Sequence, residues 1–179
     1  MRKNLYKFSL LIFVFSLLAL SGFQSSAKDE LLPNFHQVND VLYRSGRPKK
    51  GAMQEVKKMG IKTILNLRAN DEKTKEEEKE AANEGLRFFN VPMETFDRPT
   101  DAQIEKALSI INDPANQPVL VHCTRGKDRT GTVIACYRIR YDKWTDKQAL
   151  KEAKKYGIGW WQIQMKDYIE DFYRKRRDF

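Results

Sequence analysis

Cysteine is scarce. The chain has two, Cys123 and Cys136, too few for the bridged framework that holds many small exported domains together. A single bridge between them is disfavoured too. Cys123 ends a strand-like run and Cys136 lies about two turns into the helix-like segment that follows, farther apart than the roughly 7 Å a disulfide allows between Cα atoms. Cys136 therefore reads as a small core residue. A membrane-spanning apolar run is also missing. The stretch from Leu10 to Leu20 falls short of the about 20 residues a spanning helix needs, and no cysteine follows it to carry a lipid. The sequence shows no internal repeat and no long low-complexity stretch, which excludes stacked-repeat and compositionally disordered architectures.

What stands at the N-terminus has the order of a secretory leader. Arg2, Lys3 and Lys7 precede the apolar run, and Ser25-Ser26-Ala27 follows with small residues at the −3 and −1 positions of a cut after Ala27. The expectation is a signal peptide over residues 1–27, an exported product that is periplasmic or secreted, and no stable membrane insertion after cleavage; the alternative is a retained anchor. Removing the leader takes away three cations and no acid, so the formal charge falls from +9 to +6. The remaining segment, 28–179, is long enough for a single well-packed domain. Its basic balance points to an anionic partner: nucleic acid, acidic headgroups or a phosphorylated small molecule.

Apolar runs alternate with amphipathic segments along that domain. Val41-Leu42-Tyr43 predicts a strand, and Gly51 to Met59 a short helix stopped by Gly60. Ile61 to Leu67 is a strand dense enough in apolar residues for burial on both faces. A charged helix over 72–84 ends at Gly85, and Leu86 to Val91 is a further strand. Thr100 caps a helix whose buried side carries Ile104, Leu108 and Ile111. A turn at 114–118 leads into the very apolar strand 118–122, and three helices follow, near 129–141, 146–156 and 160–177, with Thr145 or Asp146 capping the second. The fold class this predicts is α/β, a mostly parallel central sheet flanked by helices. The closing run Arg174-Lys175-Arg176-Arg177 places cations at a helix C-terminus, where they are favoured; a docking role is the alternative.

The chemistry concentrates in Val119-Leu120-Val121-His122-Cys123-Thr124-Arg125-Gly126-Lys127-Asp128-Arg129-Thr130-Gly131. A buried strand runs into a cysteine, a glycine-containing loop and a helix. Five residues separate Cys123 from Arg129, enough for a loop to curl with successive N–H groups pointing inward. Such a nest, with a helix N-terminus behind it, holds a phosphate without a metal, and Arg129 can fork onto two of its oxygens. The same field favours the Cys123 thiolate, the nucleophilic form of a thiol whose ordinary pKa is near 8.5. Thr130 is placed to donate its hydroxyl to the sulfur, which makes the thiolate a better leaving group when a phosphocysteine is hydrolysed. Gly126 and Gly131 permit close backbone approach. His122 either holds the loop by hydrogen bonds or packs.

Residues 122–131 resemble the signature loop of the protein tyrosine phosphatase superfamily. The likeness is greatest to small bacterial and atypical dual-specificity members and to the cysteine phytases of that fold. Val41 to Pro48, Ile64 to Arg68 and Tyr156-Gly157 resemble flanking segments of the bacterial members, so the likeness spans about residues 34–175. It implies a central sheet wrapped by helices, a phosphate loop at a strand end, catalysis through a phosphocysteine on Cys123, and no metal or other cofactor. Members of this superfamily take the leaving-group proton from an aspartate on an upstream loop. Here that loop is Val91 to Asp101, where Asp97 is the first candidate and Glu94 the second, with Asp101 in the first turn of the following helix.

For the substrate, Lys127 and Arg125 make the loop unusually basic, as in members acting on inositol phosphates. Arg44, Arg47, Arg68 and Arg98 lie in segments that can rim the pocket, the alternative being pairing with the helix around Glu76, Glu77 and Glu78. Thr124, Arg125, Gly126, Lys127 and Asp128 are expected to line the bound phosphate; Asp128 either positions water or pairs with a flanking cation. Trp160 and Trp161, at a helix start, edge the pocket or enter the core. The expected partner is thus a phosphorylated small molecule, an inositol polyphosphate above all, or a phosphoprotein, and not nucleic acid. A phosphate-binding module without turnover and a persulfide-forming sulfurtransferase are the alternatives; the Arg129-Thr130-Gly131 ending argues against the second.

Overall fold

A computed structural model describes residues 30–177; the leader expected over residues 1–27 lies outside the described residues. Five strands and six helices are found among them: β1 His36–Asn39, β2 Leu42–Ser45, α1 Ala52–Lys58, β3 Thr63–Asn66, α2 Glu72–Asn83, β4 Arg87–Asn90, α3 Asp101–Asn112, β5 Val119–His122, α4 Asp128–Tyr141, α5 Asp146–Lys155 and α6 Ile163–Arg177. Local sequence explains most of the boundaries. Thr100 and Thr145 each form a capping box, with Gln103 and Gln148 reaching back to the cap N–H. The Asp71 carboxylate accepts from the Thr74 N–H at the start of α2. The N-cap of α4, Lys127, supplies no side-chain bond, so the first-turn amides of that helix are left for another acceptor.

The sheet order is β1-β2-β5-β3-β4. β2, β5, β3 and β4 run parallel, and β1 joins β2 antiparallel at the edge. β1 was not legible as a strand, because His36-Gln37-Val38-Asn39 offers one apolar residue. β5, last in sequence, lies in the middle of the sheet, and the chain leaves its C-terminal end at Cys123. In open parallel sheets that end of the strands is where ligands bind.

The two-residue period of the strands sorts side chains onto two faces. Leu65, Val119 and Val121 enter a core with α3, α4, α5 and α6, while Ile64 and Leu120 enter a second core with α1 and α2. Asn66 and His122, register partners, continue the Ile64–Leu120 face. Cys136 lies in the first core, and both cysteines are free thiols. α6 begins at Ile163, later than its expected start near 160, so Trp160 and Trp161 fall in the preceding turn. Of its closing cations, Arg174 bonds Asp171, and Lys175 bonds Asp101 at 2.8 Å.

Leu120 has no exposed surface and sits mid-sheet, where collapse around a cavity is hindered. Leu120→Ala is expected to cost about 2–5 kcal/mol. Chemical denaturation of the two proteins checks this: the midpoint should fall with little change in slope.

Candidate active site

The loop between β5 and α4 closes around the Cys123 sulfur. Cys123 is 2 % exposed. Burial alone would push its thiol up, but the Thr130 hydroxyl, the Thr130 amide, the Arg129 guanidinium and the Arg125 amide outweigh it, and the thiol lies below its ordinary value. The Thr130 hydroxyl is buried, and its interaction with the sulfur is the largest of the effects that favour the thiolate. Of the amides, that of Arg125 comes from the loop and that of Thr130 from the first turn of α4. The N-terminus of α4 therefore delivers both its dipole and a direct hydrogen bond to the nucleophile.

Arg129 is 7 % exposed and is held in place from three directions. Its Nη1 donates to the carbonyls of Met93 at 3.2 Å and Leu67 at 3.4 Å, and its Nη2 donates to Thr124 Oγ1 at 3.1 Å. Leu67 and Met93 follow β3 and β4, so the carboxyl ends of two strands aim the guanidinium that the sheet's centre needs. Gly126 has φ +69, and a Cβ there would lie 2.4 Å from the Ser45 carbonyl. Both its conformation and its close approach to the end of β2 require glycine.

Behind the loop lies a buried polar cluster. His122 Nε2 is 2.7 Å from Glu77 Oε1, its Nδ1 is 3.3 Å from the Cys123 carbonyl, and Asn66 Nδ2 donates to Glu77 Oε2 at 3.3 Å. His122 is thus pinned on both sides and holds the start of the loop. Sequence reasoning missed Asn66 and Glu77. A signal existed: Asn66 breaks an apolar run on the same sheet face as His122, and Glu77 falls between Thr74 and Ala81 on the buried stripe of α2.

Other expected residues are placed differently. The two oxygens of Asp128 are taken by Arg125 Nη2 and the Gly159 N–H, each at 2.8 Å. Asp128 therefore ties the loop to the turn before α6, and its bond to Arg125 is the pairing with a flanking cation that was the alternative to positioning water. Arg98 pairs with Asp171 at 2.5 Å and stacks over Tyr168, so its guanidinium is engaged by α6. Arg44 is 1 % exposed and lies behind the loop, where its Nη2 donates to the Gly126 carbonyl at 2.8 Å; it does not rim the pocket. Arg47 is half-buried beside α2, its Nη2 reaching the Lys73 carbonyl at 3.5 Å, while its own N–H donates to the Thr124 carbonyl at 3.1 Å. Arg68 follows Leu67, pairs with Asp71 at 3.1 Å and keeps a buried, unpartnered Nη1. Thr124, Arg125 and Lys127 are exposed on the loop.

In the β4–α3 loop, Glu94 and Asp97 are both exposed. Asp101 instead accepts from the Tyr168 hydroxyl and from Lys175, each at 2.8 Å, which holds its carboxyl below the usual range. Trp160 and Trp161 are 81 % and 46 % exposed, which excludes the core placement. With Phe96, 67 % exposed, they form an apolar fringe: Gln162 Nε2 donates to the Thr95 carbonyl at 2.9 Å and joins their two loops.

A low-pKa thiol cupped by amides, a helix end and a braced guanidinium at the mouth of a parallel sheet defines a cysteine-dependent phosphatase. The chain belongs to the tyrosine phosphatase family, whose model, described as "Tyrosine phosphatase family", matches residues 31–177. It is 33 % identical over 150 residues to inositol diphosphatase DSP5 of Arabidopsis thaliana, covering 78 % of this chain and 70 % of the relative. It is 32 % identical to inositol diphosphatase SIW14 of Saccharomyces cerevisiae, covering 72 % and 48 %. The core catalytic domain of that S. cerevisiae enzyme, solved with citrate, is similar at a TM-score of 0.71 and 28 % identity, covering 81 % and 88 %. P. aeruginosa TpbA, solved in complex with pTyr, shares the fold at a TM-score of 0.68 and 21 % identity, covering 87 % and 96 %.

The depressed thiol sets a pH dependence. Its folded pKa lies below the unfolded one, so the associated stability is present above the unfolded value and is lost as pH falls through the folded value. Alkylation of Cys123 by iodoacetamide should therefore persist below the pH range of an ordinary thiol. Thr130→Val should move that profile upward and slow phosphocysteine breakdown about tenfold or more, the scale of a hydrogen bond to a charged group. An unmoved profile in the folded variant would show that the hydroxyl does not act on the sulfur.

Proposed function

We propose that this phosphatase acts on multiply phosphorylated inositols and removes the outer phosphate of their diphosphate groups through a phosphocysteine on Cys123. The thiolate attacks phosphorus, the bond to the bridging oxygen breaks and its electron pair leaves with that oxygen. Water then attacks the phosphocysteine and releases inorganic phosphate, while Thr130 stabilises the departing thiolate. Arg129 and the loop amides hold the oxygens throughout. Lys127 and Arg68, and Arg47 farther out, supply cations for the remaining phosphates of the substrate.

The observation that carries the choice of substrate is that Asp97 is exposed to solvent on its loop. A leaving phosphomonoester has a pKa of about 6 and departs from a diphosphate with little proton assistance, whereas a phenoxide, with a pKa of about 10, needs an acid. The likeness to inositol diphosphatases supports the same reading. Phosphotyrosine is the second reading, favoured by the apolar fringe of Phe96, Trp160 and Trp161 beside the loop, and for it Asp97 would have to swing inward as general acid. With the leader expected over residues 1–27, the site of action proposed is outside the cytoplasm, on scavenged inositol phosphates.

Phosphate release from an inositol diphosphate, inositol hexakisphosphate and a phosphotyrosine peptide, with chelator present, tests these readings. Cys123→Ser should abolish all turnover. Asp97→Asn should slow the peptide reaction about 100-fold or more and the diphosphate reaction less than about tenfold. Equal, large losses on both substrates would overturn the leaving-group argument. Tight phosphate binding without release by the wild type would mark a binding module instead.

A further inference from the structure

We propose that Asn34 and Arg44 are positioning residues for the phosphatase reaction, holding carbonyl groups of the Cys123 loop outward so that the loop's amides face the phosphate. The inference rests on the loop being the phosphate cup.

In a trans peptide the C=O and the following N–H point to opposite sides. The loop shows this directly. The Thr124 carbonyl is taken from outside by the Arg47 N–H at 3.1 Å, and the next amide, that of Arg125, bonds the Cys123 sulfur inside. The next two carbonyls are held from the same outer side. Asn34 Nδ2 donates to the Arg125 carbonyl at 3.3 Å and to the Gly126 carbonyl at 3.1 Å, and Arg44 Nη2 donates to the Gly126 carbonyl at 2.8 Å. By the same rule the Gly126 and Lys127 amides turn inward, where a phosphate oxygen would receive them.

Asn34 sits at φ +53, a region that asparagine tolerates better than most residues. Its side chain is oriented by His36 Nε2, 3.0 Å from Oδ1, and its Nδ2 also reaches the Tyr156 carbonyl at 3.4 Å. Arg44 is a buried guanidinium stacked over the Tyr156 ring at 4.5 Å, with Nε and Nη1 unpartnered. Burying such a charge is costly. Burial lowers it to about 10, opposed by Glu152, Tyr156 and Cys123, with Arg138 adding to the lowering; it therefore stays charged at neutral pH. The cation lies behind the cup in which the negative charge of thiolate and phosphate collects; a Cβ at Gly131 would stand 3.8 Å from its Nη2, an ordinary contact, so the expected need for glycine there does not arise.

The test uses Asn34→Gly, which keeps the backbone conformation, with Arg44→Met and Arg44→Lys. Vanadate and inorganic phosphate affinities are measured alongside kcat and KM for p-nitrophenyl phosphate, the pH profile of Cys123 alkylation, and thermal midpoints. Asn34→Gly and Arg44→Met should each weaken oxyanion binding tenfold or more and lower kcat/KM at least as much. Only Arg44→Met should move the alkylation profile upward, and Arg44→Lys should restore part of that shift. A folded Asn34→Gly protein with oxyanion affinity within twofold of wild type overturns the proposal, even if Arg44→Met fails to fold. Oxyanion binding does not require turnover. A wild type that binds vanadate but releases no phosphate would count against the proposed function, not against this inference.

Discussion

A ring of backbone amides can converge on one anion only if the carbonyls of the same ring find partners on its outer side. That constraint organises the molecule around Cys123. The loop turns its amides toward the sulfur because Asn34, Arg44 on β2 and the Arg47 N–H just beyond β2 supply the donors that the loop's outward carbonyls require. Gly126 is forced by the same geometry: the loop must press against Ser45, and no side chain fits between them. The thiol's lowered pKa is a consequence of this arrangement, since the groups that favour the thiolate are ones the fold has already turned inward.

The central place of β5 follows from this requirement. A strand at the sheet edge would leave its loop braced from one side only. Between β2 and β3, the loop is flanked by the carboxyl ends of both neighbours. One neighbour provides Arg44 and leads to the amide of Arg47; the other leads to Leu67, whose carbonyl helps fix Arg129. On the reverse face, Glu77 on α2 fixes His122. The two cores on opposite faces of the sheet hold these helices at the distances that the hydrogen bonds need.

The carboxylates show how little charge type alone decides. Asp101 is engaged by Tyr168 and Lys175, and Asp128 by Arg125 and the Gly159 amide. Both carboxylates are held by protein partners. Asp97, by contrast, is exposed on the β4–α3 loop.

The sequence by itself determined the strand–loop–helix around Cys123, the pairing of Cys123 with Arg129 and Thr130, the capping of α3 by Thr100, and the alternation that makes a parallel sheet. These depend on neighbours within one turn, one loop or one strand period. Tertiary structure alone decided that Arg44 is buried behind the loop, that Arg98 packs against α6, that Trp160 is exposed, and that Asn34, Asn66 and Glu77 serve the site. Those assignments depend on which distant segment meets the loop, as with Asn34 and Gly126, 92 positions apart. No local pattern of residues encodes a contact of that range, because packing of the whole sheet creates it.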